Sequence, residues 1–279
     1  ATYMSLVPTM AAALVNHPDI GRFDTSSLKL IVVGGAASSP ELIARLEQVF
    51  HCNAMAGYGL TETAPAITTS FKKSTVIYSN EQDRVFHASM AGWPLNGTEI
   101  RVADANMNDV PRNMESIGEV VVRGDTVMDG YFKDPEATAA VMQSGWFHTG
   151  DMAVWDEESY IHIVDRKKDI IISGGENISS IEVEKAISAH PAVLECAVIA
   201  VPDSKWGEVP GAIVVAKPGS SLSEGELLGF LQGRLAKFKL PHVLQFSQEP
   251  LPKTGTGKIF KRQLREPFWA GKDRRVQGL

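Results

Sequence analysis

Residues 28–33, Leu-Lys-Leu-Ile-Val-Val, make a short and nearly unbroken apolar run that stops at Gly34-Gly35 and is followed closely by Pro40. A run this short, without polar alternation, predicts a strand buried on both faces, as in a parallel sheet. Pro40 then opens a helix at its first turn, where the missing N–H costs nothing. Leu42, Leu46, Val49 and Phe50 recur behind it at helical spacing. Residues 1–16 read as a further helix on an apolar wall, and 24–27 as a polar turn. Helix, strand, glycine turn and helix in this order predict a layered α/β unit.

The pattern changes at residue 96. Short alternating runs, TEIRVAD, GEVVVRG and YIHIVD, are separated by Gly and Asp turns up to residue 165, which predicts a small antiparallel β-barrel or sheet. From 166 onward a third pattern begins. A strand over 169–173 ends at Gly174-Gly175, and a helix follows over 179–190 with Ile181 and Ile187 inward. Strands are expected over 193–201 and 212–217. A helix over 223–236 carries Leu227, Leu228, Leu231 and Leu235 on one face, opened by a capping box of Ser223 and Glu226. The expected organisation is therefore a larger domain over 1–165 (an α/β layer over 1–95, a barrel over 96–165) and a compact α+β domain over 166–279.

Composition narrows the functions available. The formal net charge is −6, so no general basic field exists for nucleic acid or an anionic membrane. The one local cluster, Lys253, Lys258, Lys261, Arg262, Arg265, Lys272, Arg274 and Arg275, reads as a solvated tail. Cys52 and Cys196 are far apart and neither belongs to a CxxC pair, which points away from disulfides and zinc and towards a reducing cytoplasm. No stretch approaches the roughly 18 apolar residues of a spanning helix.

Four segments could carry chemistry. In Gly57-Tyr58-Gly59-Leu60-Thr61-Glu62-Thr63, glycines flank an aromatic that can present its face to a flat ring, with a hydroxyl and a carboxylate suited to a phosphate and a hard cation. The plainer reading is a loop and helix start, capped by Thr61 with Glu62 in the first turn. In Gly145-Trp146-Phe147-His148-Thr149-Gly150-Asp151 a carboxylate after a glycine turn can chelate the two hydroxyls of a ribose; alone, it is equally a tight turn with two core aromatics. Asp165-Arg166-Lys167-Lys168-Asp169 is a charged cluster before an apolar strand, either a domain linker or a solvated strand entry. Pro252-Lys253-Thr254-Gly255-Thr256-Gly257-Lys258 is Gly-rich but not a Walker loop, because Pro252 and Ile259 stand where that loop needs Gly and Ser or Thr. It can offer one Lys to a developing negative charge, or be a basic turn.

Taken together and in this order, VGGA (33–36), GYGLTETAP (57–65), GWFHTGD (145–151), DRKKDIIISGGENI (165–178) and PKTGTGK (252–258) closely resemble the adenylate-forming acyl-CoA synthetases. That superfamily also contains firefly luciferase and the adenylation domains of peptide synthetases. The resemblance spans essentially the whole chain. It implies activation of a carboxylate by Mg-ATP as an acyl-adenylate, then rotation of the C-terminal domain and thioester formation with coenzyme A.

Residue by residue, the resemblance implies the following roles. Gly34, Gly35 and Ala36 line the adenine and acyl pocket. Tyr58, between Gly57 and Gly59, stacks on adenine, Thr61 contacts phosphate and Glu62 holds magnesium. Asp151 binds the ribose hydroxyls with Arg166 assisting, and Lys168 is the hinge. Lys258 stabilises charge during adenylation, and Gly175, next to Gly174, borders the pantetheine tunnel. Ile172 departs from the pattern, since several relatives carry a second Lys there. Tyr3, Met4, Val7, Pro8 and Met10 fall where relatives wall the acyl pocket. Their apolar character, with the GWP and YFKDPEAT stretches, favours a fatty or other apolar acid.

The family's Ser/Thr/Gly-rich phosphate loop ending PKG has no counterpart here. A chain opening on Ala1 without that loop is expected to be the C-terminal portion of the enzyme, to expose an apolar face where partner layers belong, and to adenylate poorly alone. The expected partners are small molecules: a carboxylic acid, ATP with Mg2+, and coenzyme A. A second copy of the chain (a homodimer) or the missing N-terminal half is the macromolecular partner to consider; nucleic acid and a transmembrane segment are not expected. The competing readings are a truncated, non-catalytic nucleotide-binding or interaction module, and an adenylation domain that loads a carrier-protein thiol.

Overall fold

The computed structural model describes residues 1–254 and 259–271. The chain divides into two compact units, Ala1–Ile163 and Val164–Leu279. Among the described residues no helix is long and apolar enough to cross a membrane.

The first unit opens with β1 (Tyr3–Leu6), α1 (Pro8–Val15), β2 (Leu30–Val33), α2 (Pro40–Phe50), β3 (Asn53–Gly59), β4 (Ala66–Thr69), α3 (Glu81–Ser89) and β5 (Trp93–Pro94). The strands lie in the order β1-β2-β3-β4-β5. The first three are parallel, and β4 runs antiparallel to β3. The apolar run is thus the inner strand β2, with Ile31 and Val33 fully buried. In α2, Pro40 occupies the first turn, Ser39 Oγ accepts from Leu42 N at 3.2 Å, and Ile43, Leu46 and Phe50 face the core. The helix expected over 1–16 is instead a strand followed by a helix. Tyr3 pairs with Leu30 and Leu6 with Val33, so a sheet edge available across the fold overrides local helical preference. Tyr3, Val7 and Met10 remain exposed.

The rest of the unit holds β6 (Thr98–Ala103), β7 (Gly118–Gly124), α4 (Pro135–Val141), β8 (Met142–Gln143), β9 (Trp146–Trp155) and β10 (Ile161–Arg166). They form an open antiparallel sheet, half of a barrel, in the order β10-β9-β7-β6, with β8 against β9. The expected glycine turn at 145–151 proves to lie mostly inside β9. Gly150 takes φ +72°, and the register with β7 shifts between Glu119 and Val121, so the segment is a bulged strand rather than a turn.

The second unit contains β11 (Ile171–Ser173), β12 (Glu176–Ile178), α5 (Ser180–Ser188), β13 (Val193–Asp203), β14 (Gly207–Ala216), α6 (Glu224–Leu231), β15 (Val243–Ser247) and α7 (Lys261–Trp269). Its sheet has the order β12-β11-β14-β13, with β15 parallel to β14. One face packs Cys196, Val198 and Ala200 against Val183, Ile187, Leu227 and Leu231 of α5 and α6. The other packs Ala197, Ile199, Val201, Ile213 and Val215 against Leu251, with Leu264 and Phe268 of α7. Ile181 is on the exposed side of α5, and Val183 takes the inward place expected of it. The helix expected to reach residue 236 stops at Leu231, because Gln232 is extended and Gly233 takes φ +80°; its Ser223 cap bond to Glu226 N is present at 3.2 Å.

The basic cluster is not simply a tail. Lys253 pairs with Glu195 at 2.9 Å, Lys261 with Glu184 at 2.8 Å and Arg265 with Asp169 at 3.4 Å. Lys258, Lys272, Arg274 and Arg275 lie outside the described residues.

Candidate active site

Strand β3 carries Gly57-Tyr58-Gly59 to the end of the first sheet, beside the glycine turn that follows β2. In open α/β sheets the C-terminal ends of parallel strands are where ligands bind. Gly35 takes φ +80°, and a Cβ on Gly34 would sit 3.3 Å from Gly57 O, so the two glycine segments approach backbone to backbone. Ala36 is exposed beside them. Gly59 has a reason inside the fold: a Cβ there would stand 1.7 Å from Pro65 O.

Tyr58 packs, partly buried, against the cluster of Ile67, Val122 and Phe147, and its hydroxyl donates to Asp151 Oδ2 at 2.7 Å. Asp151 is held from behind. Its N–H donates to Thr149 Oγ1 at 3.1 Å, and the Thr149 hydroxyl donates to Val120 O at 2.7 Å. The buried carboxylate of Glu119 on β7 accepts from Gly150 N at 3.1 Å and lies 2.9 Å from His148 Nδ1. Glu119 and His148 thereby hold the bulge that carries Asp151.

Residues Thr61–Thr63 form a single 3-10 turn. Its N-cap is Leu60 and not Thr61, which is exposed; the Leu60 N–H donates to Oγ1 of the fully buried Thr63 at 3.0 Å. Glu62 is in the first turn as expected. Its backbone carbonyl accepts from Met128 N at 2.8 Å, and its carboxylate Oε1 accepts from the Tyr131 hydroxyl at 2.9 Å. Burial, followed by the Glu62 carboxylate, pushes the Tyr131 phenol above its ordinary pKa. Among the described residues no three His, Cys, Asp or Glu side chains cluster as a metal cage. A magnesium ion held by one carboxylate and substrate phosphates needs no such cage, and Glu62 fits that donor set.

In the second unit, Arg166 is exposed and its backbone N–H donates to Asp165 Oδ1 at 2.8 Å. Lys168 lies in the turn between β10 and β11, and its carbonyl accepts from Arg265 Nη1 at 2.9 Å. Gly174 and Gly175 form the hairpin turn between β11 and β12 with φ +61° and +92°. Gly174 N donates to Trp206 O at 2.9 Å, and a Cβ on Gly174 would meet Trp206 Cε3 at 2.7 Å, whereas one on Gly175 would meet nothing within 4 Å. Asp165, buried near the start of the unit, accepts from Ser180 N, and Lys261 Nζ lies 2.6 Å from Ser180 Oγ. Lys258 lies outside the described residues.

Comparison with known proteins decides the family. The family of AMP-binding enzymes matches residues 1–132, and the AMP-binding enzyme C-terminal domain matches 182–258. The chain belongs to the adenylate-forming AMP-binding enzymes. A long-chain-fatty-acid–CoA ligase of Thermus thermophilus is 40% identical over 268 residues, 96% of this chain and 49% of the relative. A feruloyl-CoA synthase of an Amycolatopsis species is 43% identical over 266 residues, 94% and 51%. The crystal structure of ATP-bound MatB from Rhodopseudomonas palustris superposes with a TM-score of 0.82 at 32% identity, covering 96% of this chain and 51% of that one. The chain spans about half the length of the curated relatives it matches.

Within this chain of the AMP-binding enzyme family, three residues were missed by sequence reasoning: Glu119, His148 and Tyr131. Glu119 had a signal, a carboxylate inside the otherwise apolar GEVVV run. His148 lay inside a recognised motif, where Asp151 alone was given a ligand-binding role. Tyr131 opens the YFKDPEAT stretch already noted, but its link to Glu62 bridges 69 residues and is invisible locally. A separate pocket of about 280 Å3, lined by Val122, Arg123, Val127, Met128 and Met142 among others, does not include Tyr58, Glu62 or Asp151 in its walls.

Proposed function

We propose that this chain serves an ATP-dependent acyl-CoA ligase that activates an apolar carboxylic acid as acyl-AMP and passes the acyl group to coenzyme A. One observation carries the reading: Tyr58 and Asp151, far apart in sequence, meet at 2.7 Å at the end of the strand that leads directly into Glu62. A ring face, a carboxylate able to take two ribose hydroxyls, and a carboxylate for a hard cation then belong to one nucleotide.

In this reading Gly34, Gly35, Ala36, Gly57 and Gly59 bring backbone up to the nucleotide and acyl group, Tyr58 stacks on adenine, and Asp151 holds the ribose with help from Arg166. Thr61 contacts phosphate. Glu62 would hold Mg2+, which when bound would offset phosphate charge. The acid's carboxylate oxygen attacks the α-phosphorus and pyrophosphate leaves, while Lys258 stabilises the charge that gathers on phosphate. Residues 166–279 then turn about Lys168 and present the Gly174-Gly175 turn, the thiolate attacks the acyl carbonyl, and AMP leaves. Aliphatic or aromatic acids are favoured because Tyr3, Met4, Val7, Pro8 and Met10 are apolar and Val7 Cγ1 would lie 3.4 Å from a Cβ on Gly35. The relatives named for long-chain fatty acids and for feruloyl-CoA synthesis support that class.

The test is calorimetric binding of AMP and of a non-hydrolysable acyl-adenylate analogue with an apolar chain, alongside acid-dependent ATP–pyrophosphate exchange. The analogue is expected to bind at least tenfold more tightly than AMP, and Asp151→Ala to abolish both. A wild-type chain that binds neither compound overturns the reading.

A further inference from the structure

Glu62 stands on a one-turn helix, too short to fix a long acidic side chain by packing. A carboxylate that must meet a cation in one geometry loses rotamer freedom when it does so, and a second hydrogen bond that holds it beforehand removes part of that cost. Tyr131 Oη stands 2.9 Å from Glu62 Oε1, which leaves Oε2 to face a cation.

The phenol is placed by its own loop rather than by Glu62 alone. Val127 and Met128 pack in the apolar cluster that also holds Tyr58 and Leu60. Met128 N donates to the Glu62 carbonyl at 2.8 Å, so the loop grips the backbone and the side chain of the same residue. On the far side, Tyr131 N donates to Thr138 Oγ1 at 2.9 Å, and the Thr138 hydroxyl donates to Asp134 O at 2.7 Å. Gly130 leaves room for this, since a Cβ there would meet Thr138 Cγ2 at 2.8 Å. Tyr131 itself is 37% exposed and so adds little to the core.

We infer that Tyr131 is a positioning residue that orients Glu62 towards the divalent cation of a bound nucleotide. The inference rests on the nucleotide reading above. Outer hydrogen bonds of this kind are worth about 10–100-fold in metal affinity.

The experiment measures ATP binding by calorimetry, with saturating Mg2+ and with EDTA, on the wild-type chain, Tyr131→Phe, Thr138→Val and Glu62→Gln. The readout is the ratio of the two affinities. Tyr131→Phe is expected to lower this ratio about tenfold, Thr138→Val to lower it less, and Glu62→Gln to remove it, while ATP binding in EDTA and the melting midpoint of Tyr131→Phe stay at the wild-type values. A Tyr131→Phe ratio equal to wild type overturns the inference, as does an equal loss of affinity with and without Mg2+. A wild-type chain that binds no ATP under either condition overturns the nucleotide reading and this inference with it.

Discussion

The Tyr58 hydroxyl and the Asp151 carboxylate are joined by a 2.7 Å hydrogen bond that links β3 to β9. It fixes the direction of Asp151 before any ligand arrives. Tyr58→Phe keeps the ring and removes the bond, so AMP affinity should fall only about 3–10-fold, the worth of one ordinary hydrogen bond. Tyr58→Ala removes the ring as well and should cost about 1–3 kcal/mol more. Calorimetric titration with AMP separates the two, and equal losses in both variants would rule out stacking.

Glu119 is the support behind Asp151. Glu119→Leu keeps a similar volume but leaves Gly150 N–H and the His148 ring without their buried acceptor. Each orphaned group costs about 1–3 kcal/mol, so urea unfolding should show a loss of about 2–6 kcal/mol. Glu119→Gln, which keeps one acceptor oxygen, should lose roughly half as much and retain most AMP binding.

Lys261 stands between the buried Asp165 and the half-buried Glu184. Asp165 and Glu184 are held above their ordinary carboxylate values, 3.8 and 4.5, chiefly by burial, and Lys261 acts against that rise. Acids whose folded values are raised stabilise the fold most when protonated, and that contribution is lost as pH climbs through the folded values. Lys261→Met removes the opposing cation and should cost about 3–5 kcal/mol at neutral pH. The deficit should shrink as pH falls towards the acids' raised values. Urea midpoints of variant and wild type at about pH 7.5 and about pH 5 check the sign, and a deficit that widened in acid would exclude the arrangement.

Gly174 and Gly175 both lie in the left-handed region, so either Ala substitution carries strain of about 1 kcal/mol. Only Gly174→Ala must also push Trp206 aside. It should therefore destabilise more than Gly175→Ala by thermal melting. Gly175→Ala should instead fold nearly normally and, on the proposed reading, impair transfer to coenzyme A while sparing acyl-AMP formation. Separate pyrophosphate-exchange and thioester assays test that split.

The readable parts of this fold were those governed by neighbours along the chain. Residues 28–33 announce β2 by nearly unbroken apolarity, and Ser39 with Pro40 announce α2 by its first turn. β1 was unreadable because its strand form comes from Tyr3 and Leu6 pairing with Leu30 and Val33, a partnership no local window contains. Ile181 and Val183 are both apolar and two positions apart, so spacing alone could not say which faces inward. α7 hid behind its charges: Lys261 and Arg265 suggested a tail, while Leu264 and Phe268 reach the sheet. At the candidate site, the glycines and Asp151 were visible as recognisable strings. The roles of Glu119 and Tyr131 were not, because each is defined by a contact made only after folding.

The β13–β14 ribbon is apolar on both sides, and the side bearing Ile199, Val201 and Ile213 is covered by Leu251, Leu264 and Phe268. A shortened version of the chain ending before Lys261 would strip Leu264 and Phe268 from that cover and expose part of the hydrophobic surface to solvent. Such a product should collect as aggregate during expression and give little recoverable protein, so any trimming for crystallisation has to keep residues up to at least Trp269.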